Sequence, residues 1–227
     1  MITIYETERL FQLIRNKNNK KYLENFNGFS FNNDIGIINC NKKEEYSGKR
    51  ETIDIFARLL YKYEKKQAFE VHLQAYILQK LNNNEINFLY SILQKEYVDN
   101  YDIEWIGNEV SCGVGMQRID IMISLISKCD NTNRIIIPIE LKDEEIDEKI
   151  INQLYRYINW IKQYYIPNRI SNIKPIIIGK FIKNNAKLNT LLESLKEFNS
   201  KTDNDCCDIT YINFKITDKI IFDKVEY

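Results

Sequence analysis

The sequence predicts an α/β fold, and three observations lead to that prediction. The chain has 227 residues, enough to bury a sizeable core as one domain. Isoleucine-rich runs bounded by turn residues are typical of buried strands. Between those runs lie segments whose apolar residues recur three and four positions apart, which predicts helices that pack on a sheet.

The predicted elements follow one another in a simple order. Asparagine-rich breaks separate four expected helices, over 6–17, 52–66, 69–81 and 85–97. Strands over 103–110, 116–127 and 134–141 come next, followed by a helix over 147–165, a strand over 173–181, a helix over 188–198 and a strand over 209–214. We therefore expect a central mixed β-sheet flanked by helices over 67–227. A mainly helical N-terminal elaboration over 1–66 precedes it, with only 35–39 strand-like.

Acidic side chains stand inside two of the most apolar predicted strands. Asp120 lies in one strand, and Glu140 lies in the next, two residues before Lys142. Alternate side chains of a strand share a face, so Glu140 and Lys142 should point the same way while Leu141 points into the core. Two carboxylates on neighbouring strands can hold a hard divalent cation, and a lysine beside them can orient water. A structural ion pair between Asp120 and Lys142 is the alternative interpretation.

The helix predicted over 147–165 adds polar residues next to these strands. An apolar stripe that can pack on the sheet is formed by Ile151, Leu154, Ile158 and Ile161. A second stripe consists of Gln153, Tyr157, Trp160 and Tyr164. Gln153 and Tyr157 are four residues apart, so they should project together from the first turns of the helix, just after the strand that carries Glu140.

In chain order, these motifs resemble the PD-(D/E)xK nuclease superfamily, in the branch with a Gln-x-x-x-Tyr motif shared by RecB-type and NucS-type nucleases. The matching segments are FEVHLQAYILQKL with Glu70 and Gln74, WIGNEV with Glu109, GVGMQRIDIMI with Gly115 and Asp120, IPIELK with Glu140 and Lys142, QLYRY with Gln153 and Tyr157, and KPIIIG. The resemblance covers roughly the last two thirds of the chain, and the ordered combination is far more specific than any one motif.

The resemblance implies a restriction-endonuclease-like core with a Mg²⁺ site. Asp120 and Glu140 are the implied metal ligands, and the backbone carbonyl of Leu141 completes the share of ligands that the protein supplies. Lys142 is the implied cation that positions the attacking water. Mg²⁺ commonly takes only one or two carboxylates, with waters and substrate phosphate as its other ligands, so this donor set is sufficient.

Three further residues have an implied role and a plainer alternative. Glu70 is implied to approach the metal, directly or through water, but a glutamate in the first turn of a helix also complements the helix dipole. Gln153 and Tyr157 are implied to brace the site or to contact the phosphate backbone. Their alternative is a helix flank that faces solvent and a neighbouring strand.

The charge balance is neutral, with 32 basic and 32 acidic residues. Nonspecific attraction to DNA is therefore weak unless the charges segregate, and affinity has to come from shaped contacts. Four candidate DNA-contacting residues flank Gly48 in a loop-like segment, and these are Lys42, Lys43, Lys49 and Arg50. Gln117 and Arg118 are two further candidates.

Several other classes of protein have little support in the sequence. The five cysteines form no Cys-x-x-Cys pair and His72 is the only histidine, which argues against a zinc cluster and a disulfide framework. No phosphate-binding glycine loop occurs, so no nucleotide cofactor is expected. No apolar stretch reaches membrane-spanning length and no secretory pattern opens the chain, so we expect a cytoplasmic protein without a membrane partner.

Two forms of the nuclease family differ in how they select DNA. A NucS-type repair enzyme has a β-rich dimerisation domain before the core and cuts branched or mismatched DNA. A type II restriction endonuclease surrounds the core with its own helices and loops, dimerises and reads a palindrome. The short N-terminal part and the neutral charge favour the second form, a homodimer that cuts double-stranded DNA at a palindromic, perhaps A·T-rich, site. A DNA-binding protein with a decayed core is the third interpretation, and the intact acids and lysine argue against it.

Overall fold

The structure is a computed structural model that describes residues 29–32, 37–40, 55–113, 117–166, 171–201 and 206–227. The chain divides into two compact units, Met1–Ile53 and Asp54–Tyr227. In the first unit, strand β1 (Phe29–Asn32) pairs antiparallel with β2 (Ile37–Cys40). The strand predicted over 35–39 overlaps β2, while the helix predicted over 6–17 lies outside the described residues.

The second unit is built on a mixed seven-stranded sheet. Its strands are β3 (Tyr101–Ser111), β4 (Arg118–Ser127), β5 (Arg134–Leu141), β6 (Ser171–Ile173), β7 (Ile176–Lys180), β8 (Thr210–Ile216) and β9 (Ile220–Lys224). They are ordered β3-β4-β5-β7-β8-β9, and β6 also pairs with β5. The β5–β6, β5–β7 and β7–β8 pairs are parallel, whereas β3–β4, β4–β5 and β8–β9 are antiparallel. The predicted α/β class with a mixed sheet is therefore confirmed.

Helices cover both faces of this sheet. They are α1 (Ile55–Glu64), α2 (Glu70–Asn82), α3 (Ile86–Leu93), α4 (Lys95–Asn100), α5 (Lys149–Trp160), which runs on into a π-helical turn (Ile161–Tyr165), and α6 (Asn185–Lys201). Ile137 and Ile139 of β5 join the apolar cluster formed with α1, α2 and α3, and Ile136 joins the cluster formed with α5 and α6. This alternation follows from the two-residue period of a strand buried on both faces.

Some predicted boundaries differ from the structure for identifiable reasons. The helix predicted over 85–97 is interrupted at Gln94, whose φ of 69° is incompatible with a continuous helix. The apolar spacing continues across this break, from Ile92 and Leu93 to Tyr97, and periodicity alone therefore predicts a single helix. Strand β9 was not predicted, because this short edge strand has only one buried residue, Ile220, and ends in charged side chains.

The start of the second unit also differs from the predicted division after residue 66. Helix α1 packs against α2, and its Leu59 is fully buried in the same apolar cluster as the sheet. Among the described residues, none of the helices combines the length and the apolar character needed to cross a membrane.

Candidate active site

The two acidic residues of the sheet lie next to each other on adjacent strands. β4 and β5 are antiparallel, and the pair Ile121 and Ile139 places Asp120 and Glu140 one residue further along each strand. The backbone N–H of Leu141 donates a hydrogen bond of 2.8 Å to Oδ2 of Asp120. The Asp120 side chain therefore continues the hydrogen bonding between the two strands beyond the last paired residues.

Lys142 follows β5 directly and holds the Glu140 carboxylate. Its ammonium donates to Oε1 of Glu140 at 2.9 Å and to the carbonyl oxygen of Leu141 at 2.8 Å. It also contacts Oε2 of Glu70 at 3.4 Å, and this contact joins the start of α2 to the end of β5. The ion pairs of Lys142 are thus with Glu140 and Glu70, and not with Asp120, the partner that the ion-pair alternative required.

Helix α5 supports Glu140 from the side of the sheet that it covers. Nε2 of Gln153 donates to Oε1 of Glu140 at 2.7 Å and contacts the Tyr157 hydroxyl at 2.6 Å. The Tyr157 hydroxyl in turn donates to the carbonyl oxygen of Arg118 at 2.6 Å. Tyr157 is fully buried and its hydroxyl bonds to β4, so this residue faces the neighbouring strand, as in the helix-flank alternative, but not solvent. The side-chain amide of Gln153 has two N–H donors, and one is available for Glu140 and the other for Tyr157.

Helix α2 contacts the site through Gln74 as well as through Glu70. Nε2 of Gln74 donates to the carbonyl oxygen of Asp120 at 2.7 Å and to Oε1 of Glu109 at 3.0 Å. Arg118 then pairs with Oε2 of Glu109 at 3.3 Å. Gln74 and Glu109 belong to the segments that carry the resemblance, but no local pattern in the sequence predicts that either side chain lies at the site.

Asp143 is a site residue that the sequence analysis missed. Its Oδ2 accepts hydrogen bonds from the backbone N–H groups of Phe69 at 2.5 Å and of Glu70 at 3.1 Å. Phe69 precedes α2 and has no side chain that can cap the helix, so Asp143 supplies the missing acceptor from a distant part of the chain. The cap fixes the position of Glu70 next to Lys142. The only sequence signal is the absence of a capping residue at position 69.

Burial changes the protonation of the two acids. Burial and the nearby charge of Glu140 raise the pKa of Asp120 to about 7, although the Leu141 N–H and the Lys142 ammonium oppose the shift. Burial likewise raises the pKa of Glu140, whose side chain is 1% exposed, against the opposing hydrogen bond from Lys142. Two interacting carboxylates in one buried place share their protons, so they titrate as a pair.

The two hydrogen-bond donors next to the acids keep their protons. Burial lowers the pKa of Lys142, but its hydrogen bond to Glu140 and the charges of Glu140, Glu70 and Asp120 outweigh this effect and leave the pKa raised. Burial also raises the pKa of the Tyr157 hydroxyl. At neutral pH the site therefore contains an ammonium and a phenol that donate hydrogen bonds, and neither is a proton acceptor.

The donor set fits a hard divalent cation held by few protein ligands. Oε2 of Glu140 is buried and has no hydrogen-bond partner, which is unfavourable for a carboxylate unless something else binds it. Within the described residues, no group of three or more His, Cys, Asp or Glu side chains is arranged to hold a metal. The available ligands are therefore the carboxylates of Asp120 and Glu140 and the Leu141 carbonyl, a set of oxygen atoms that suits Mg²⁺ better than a transition metal.

The remaining candidate residues are placed as follows. Gln117 accepts a hydrogen bond from the backbone of Cys112 through its own carbonyl oxygen, and the Arg118 side chain is exposed beside Glu109. The four basic residues of the proposed DNA-contacting segment lie outside the described residues, and these are Lys42, Lys43, Lys49 and Arg50. Gly115 also lies outside them.

Comparisons with known proteins find no relative of this chain. No protein-family model matches the chain, and neither the curated proteins nor the solved structures contain a match.

We expect Asp120→Asn to stabilise the metal-free protein at high pH. The folded-state pKa of Asp120 lies above its unfolded value, so the stability that protonation provides is present at low pH and is lost as the pH rises through about 7. An asparagine keeps an oxygen acceptor for Leu141 and carries no charge. The variant should exceed the wild type by on the order of 2 kcal/mol at pH 8 and by much less at pH 5, measured by urea unfolding in EDTA.

Asp130→Asn is the matched control for this prediction. Asp130 is exposed, and its hydrogen bonds to Thr132 lower its pKa, so its replacement should not stabilise the protein at high pH. A stability difference between Asp120→Asn and the wild type that does not change between pH 5 and pH 8 would contradict the burial of an ionisable Asp120.

We expect Asp143→Ala to lower the free energy of unfolding by about 1 kcal/mol, because it removes the cap of α2. Asp143→Asn retains an oxygen acceptor and should lose less. Glu70 should also become more mobile in the alanine variant, and hydrogen exchange at the backbone amides of Phe69 and Glu70 measures that change. Unchanged exchange at these two amides in Asp143→Ala would show that the cap does not hold the start of the helix.

Proposed function

We propose that the protein is a Mg²⁺-dependent DNA endonuclease with a restriction-endonuclease-like core. The observation that carries this proposal is the buried Glu140, which is linked to Lys142 and Gln153 and lies next to Asp120 on the adjacent strand. Charged groups in a sheet interior are costly, and perturbed carboxylates of this kind concentrate at functional sites. The order of the motifs along the chain supports the same reaction.

Each residue of the site has a specific task in phosphodiester hydrolysis. Asp120, Glu140 and the Leu141 carbonyl would hold the cation, which supplies Lewis-acid polarisation of the phosphate and a bound water of lowered pKa. Lys142 remains protonated. Its ammonium would donate a hydrogen bond to the attacking oxygen and would stabilise the negative charge that develops on the phosphate.

Neighbouring residues keep this arrangement in place. Gln153 fixes Oε1 of Glu140 and leaves Oε2 available for a ligand. Glu70 is the accessible carboxylate of the cluster, with a side chain 38% exposed, and it can receive a proton from the attacking water. Lys142 and Gln153 also line a cavity of about 170 Å³ that extends along the segment between β5 and α5.

The selection of DNA is a separate part of the proposal. The sequence favours a type II restriction endonuclease, in which a homodimer reads a palindrome because each subunit presents the same surface to one half-site. A structure-specific endonuclease is the second candidate, and exposed aromatic side chains next to the site favour it. Cleavage of plasmid and branched DNA, followed by sequencing of the ends and a sedimentation mass, separates fixed-sequence cuts by a dimer from cuts at unpaired positions.

We expect Asp120→Ala and Glu140→Ala each to abolish Mg²⁺-dependent cleavage and to leave a folded protein that binds DNA. Loss of a metal ligand removes charge stabilisation of the transition state, and the rate should fall by at least about a thousandfold. Lys142→Ala should be severely impaired for the same reason. Ca²⁺ should support binding with little cleavage, because its looser coordination geometry does not suit the reaction. The measurement is single-turnover cleavage of a labelled DNA.

Glu85→Gln is the control for these substitutions, since Glu85 forms a surface ion pair with Lys80, which lies at the opposite end of α2 from Glu70. It should cleave at the wild-type rate. Near wild-type turnover of Asp120→Ala or Glu140→Ala at saturating Mg²⁺ would refute the site assignment.

A further inference from the structure

Three aromatic rings form a continuous stack beside the candidate active site. The rings of Trp105 and Tyr165 have centroids 6.5 Å apart and are inclined by 30°, and those of Tyr165 and Trp160 are 6.3 Å apart at 29°. We call Trp105, Tyr165 and Trp160 the aromatic stack. Trp160 and Tyr165 pack in part against the apolar cluster formed with α5 and α6. Trp105 is 41% exposed and the neighbouring Tyr164 is 70% exposed, so the Trp105 end of the stack borders solvent.

The π-helical turn is what brings two of these rings together. Residues five apart lie about 140° apart around an α-helix, which has 3.6 residues per turn. At the end of α5 the N–H of Ile166 instead donates to the carbonyl oxygen of Ile161 at 3.0 Å, a bond that spans five residues. This wider turn places Trp160 and Tyr165 on one side of the helix. Such turns are rare and occur often at functional sites.

Strand β3 presents the third ring through two local features. The register of β3 against β4 shifts between Ile103 and Trp105, and this bulge re-aims the side chain that follows it. The six-membered part of the Trp105 indole then lies over Gly107, where a Cβ atom would be 2.2 Å from the ring. A glycine in a strand often marks a close approach of another group, and here it makes room for the indole.

The aromatic stack and the acids occupy the same face of the sheet. Trp105 opposes Ser124 in the β3–β4 pair, and Gly107 opposes Met122. Ser124, Met122 and Asp120 alternate along β4, so their side chains share a face. The indole above Gly107 is therefore displaced from Asp120 by about two residues, or roughly 7 Å, along the strand direction.

Helix α5 also connects the candidate active site with the aromatic stack. Gln153 contacts Glu140 near the start of this helix, and Trp160 lies seven residues later, about 10 Å along the axis. From Lys149 to Ile166 the chain has three basic residues, Lys149, Arg156 and Lys162, and no acid. The net charge of the chain is zero, but this segment is positively charged and can therefore attract a phosphate backbone.

We infer that the aromatic stack is a subsite for one unpaired nucleobase of the DNA strand that is bound at the acid site. This inference rests on the proposed nuclease reaction, and it favours the second candidate, a structure-specific endonuclease, over the restriction endonuclease. Every nucleobase has a π face that can stack on an aromatic side chain. The displacements of about 7 Å along β4 and about 10 Å along α5 amount to roughly two to three steps of 3.4 Å, which is the spacing of phosphates along one strand of B-DNA. A base inside a paired duplex cannot reach the rings without leaving its neighbours. Single strands, flaps and mismatches are therefore bound in preference to a perfect duplex.

Intrinsic fluorescence tests the inference directly, because Trp105 and Trp160 are the only two tryptophans of the chain. The wild-type protein, in Ca²⁺, is titrated with a single-stranded thymidine oligonucleotide, a fully paired hairpin, and the same hairpin with an unpaired flap. We expect saturable quenching of the tryptophan fluorescence by the first and third DNAs and little change with the paired hairpin. Equal quenching by the paired hairpin, or none with any DNA, would overturn the subsite.

Substitutions of one residue identify the ring that stacks. Trp105→Leu should weaken binding of the flap hairpin at least about tenfold, while Trp105→Phe, which keeps a π face, should stay within about threefold of the wild type. Tyr155→Leu is the matched control, because Tyr155 is exposed on the same helix and packs on Phe198 away from the aromatic stack. Wild-type affinity of Trp105→Leu for the flap hairpin would contradict the inference.

Two further measurements keep the test independent of the nuclease reaction and of the folding of a variant. A flap that carries 2-aminopurine as its unpaired base should lose fluorescence on binding to the wild-type protein, and unchanged 2-aminopurine emission would contradict stacking. Quenching without cleavage in Mg²⁺ would refute the proposed reaction and support the subsite. Cleavage of paired DNA without quenching would refute the subsite and support the reaction.

Discussion

Glu140 has a carboxylate that is 1% exposed, and the arrangement of the site follows from the need to stabilise it there. A charge in the interior of a sheet costs several kcal/mol unless charged and hydrogen-bonding partners offset the loss of water. Lys142 and Gln153 both donate to Oε1 and supply much of that compensation. Oε2 remains without a hydrogen-bond partner, and we propose an oxygen-seeking cation as its ligand.

The contacts of Glu140 connect it to helices on both faces of the sheet. Through Gln153 and Tyr157 it is linked to α5 and to the backbone of β4, and through Lys142 it is linked to Glu70 at the start of α2. Asp143 fixes that helix end from the segment after β5. Helices from both faces of the sheet therefore meet at the ends of two strands, and a displacement of either helix would alter the carboxylate pair.

The sequence predicted the parts of this arrangement that depend on local periodicity. Strand β5 was predicted with its observed bounds, because a short run rich in isoleucine between turn residues favours a buried strand. The pairing of Asp120 with Glu140 on adjacent strands followed from their positions within such runs. The cap by Asp143 and the position of Gln74 depend on contacts between segments distant in the chain, which no local pattern encodes. The π-helical turn was also not predicted, because its residues have ordinary helical spacing and only tertiary packing selects the wider turn.

We propose that Asp120 and Glu140 bind a divalent cation with a coupled loss of protons. Burial raises the pKa of Asp120 to about 7, so binding must displace a proton at low pH and none at high pH. Titration calorimetry with Mn²⁺ in buffers of different ionisation enthalpy measures this directly. We predict that the wild-type protein binds Mn²⁺ at one site and releases about one proton or more at pH 6 and nearly none at pH 8.5. We predict no binding of Mn²⁺ by Glu140→Gln. Binding of Mn²⁺ to Glu140→Gln with unchanged affinity, or no binding by the wild type, would contradict the claim.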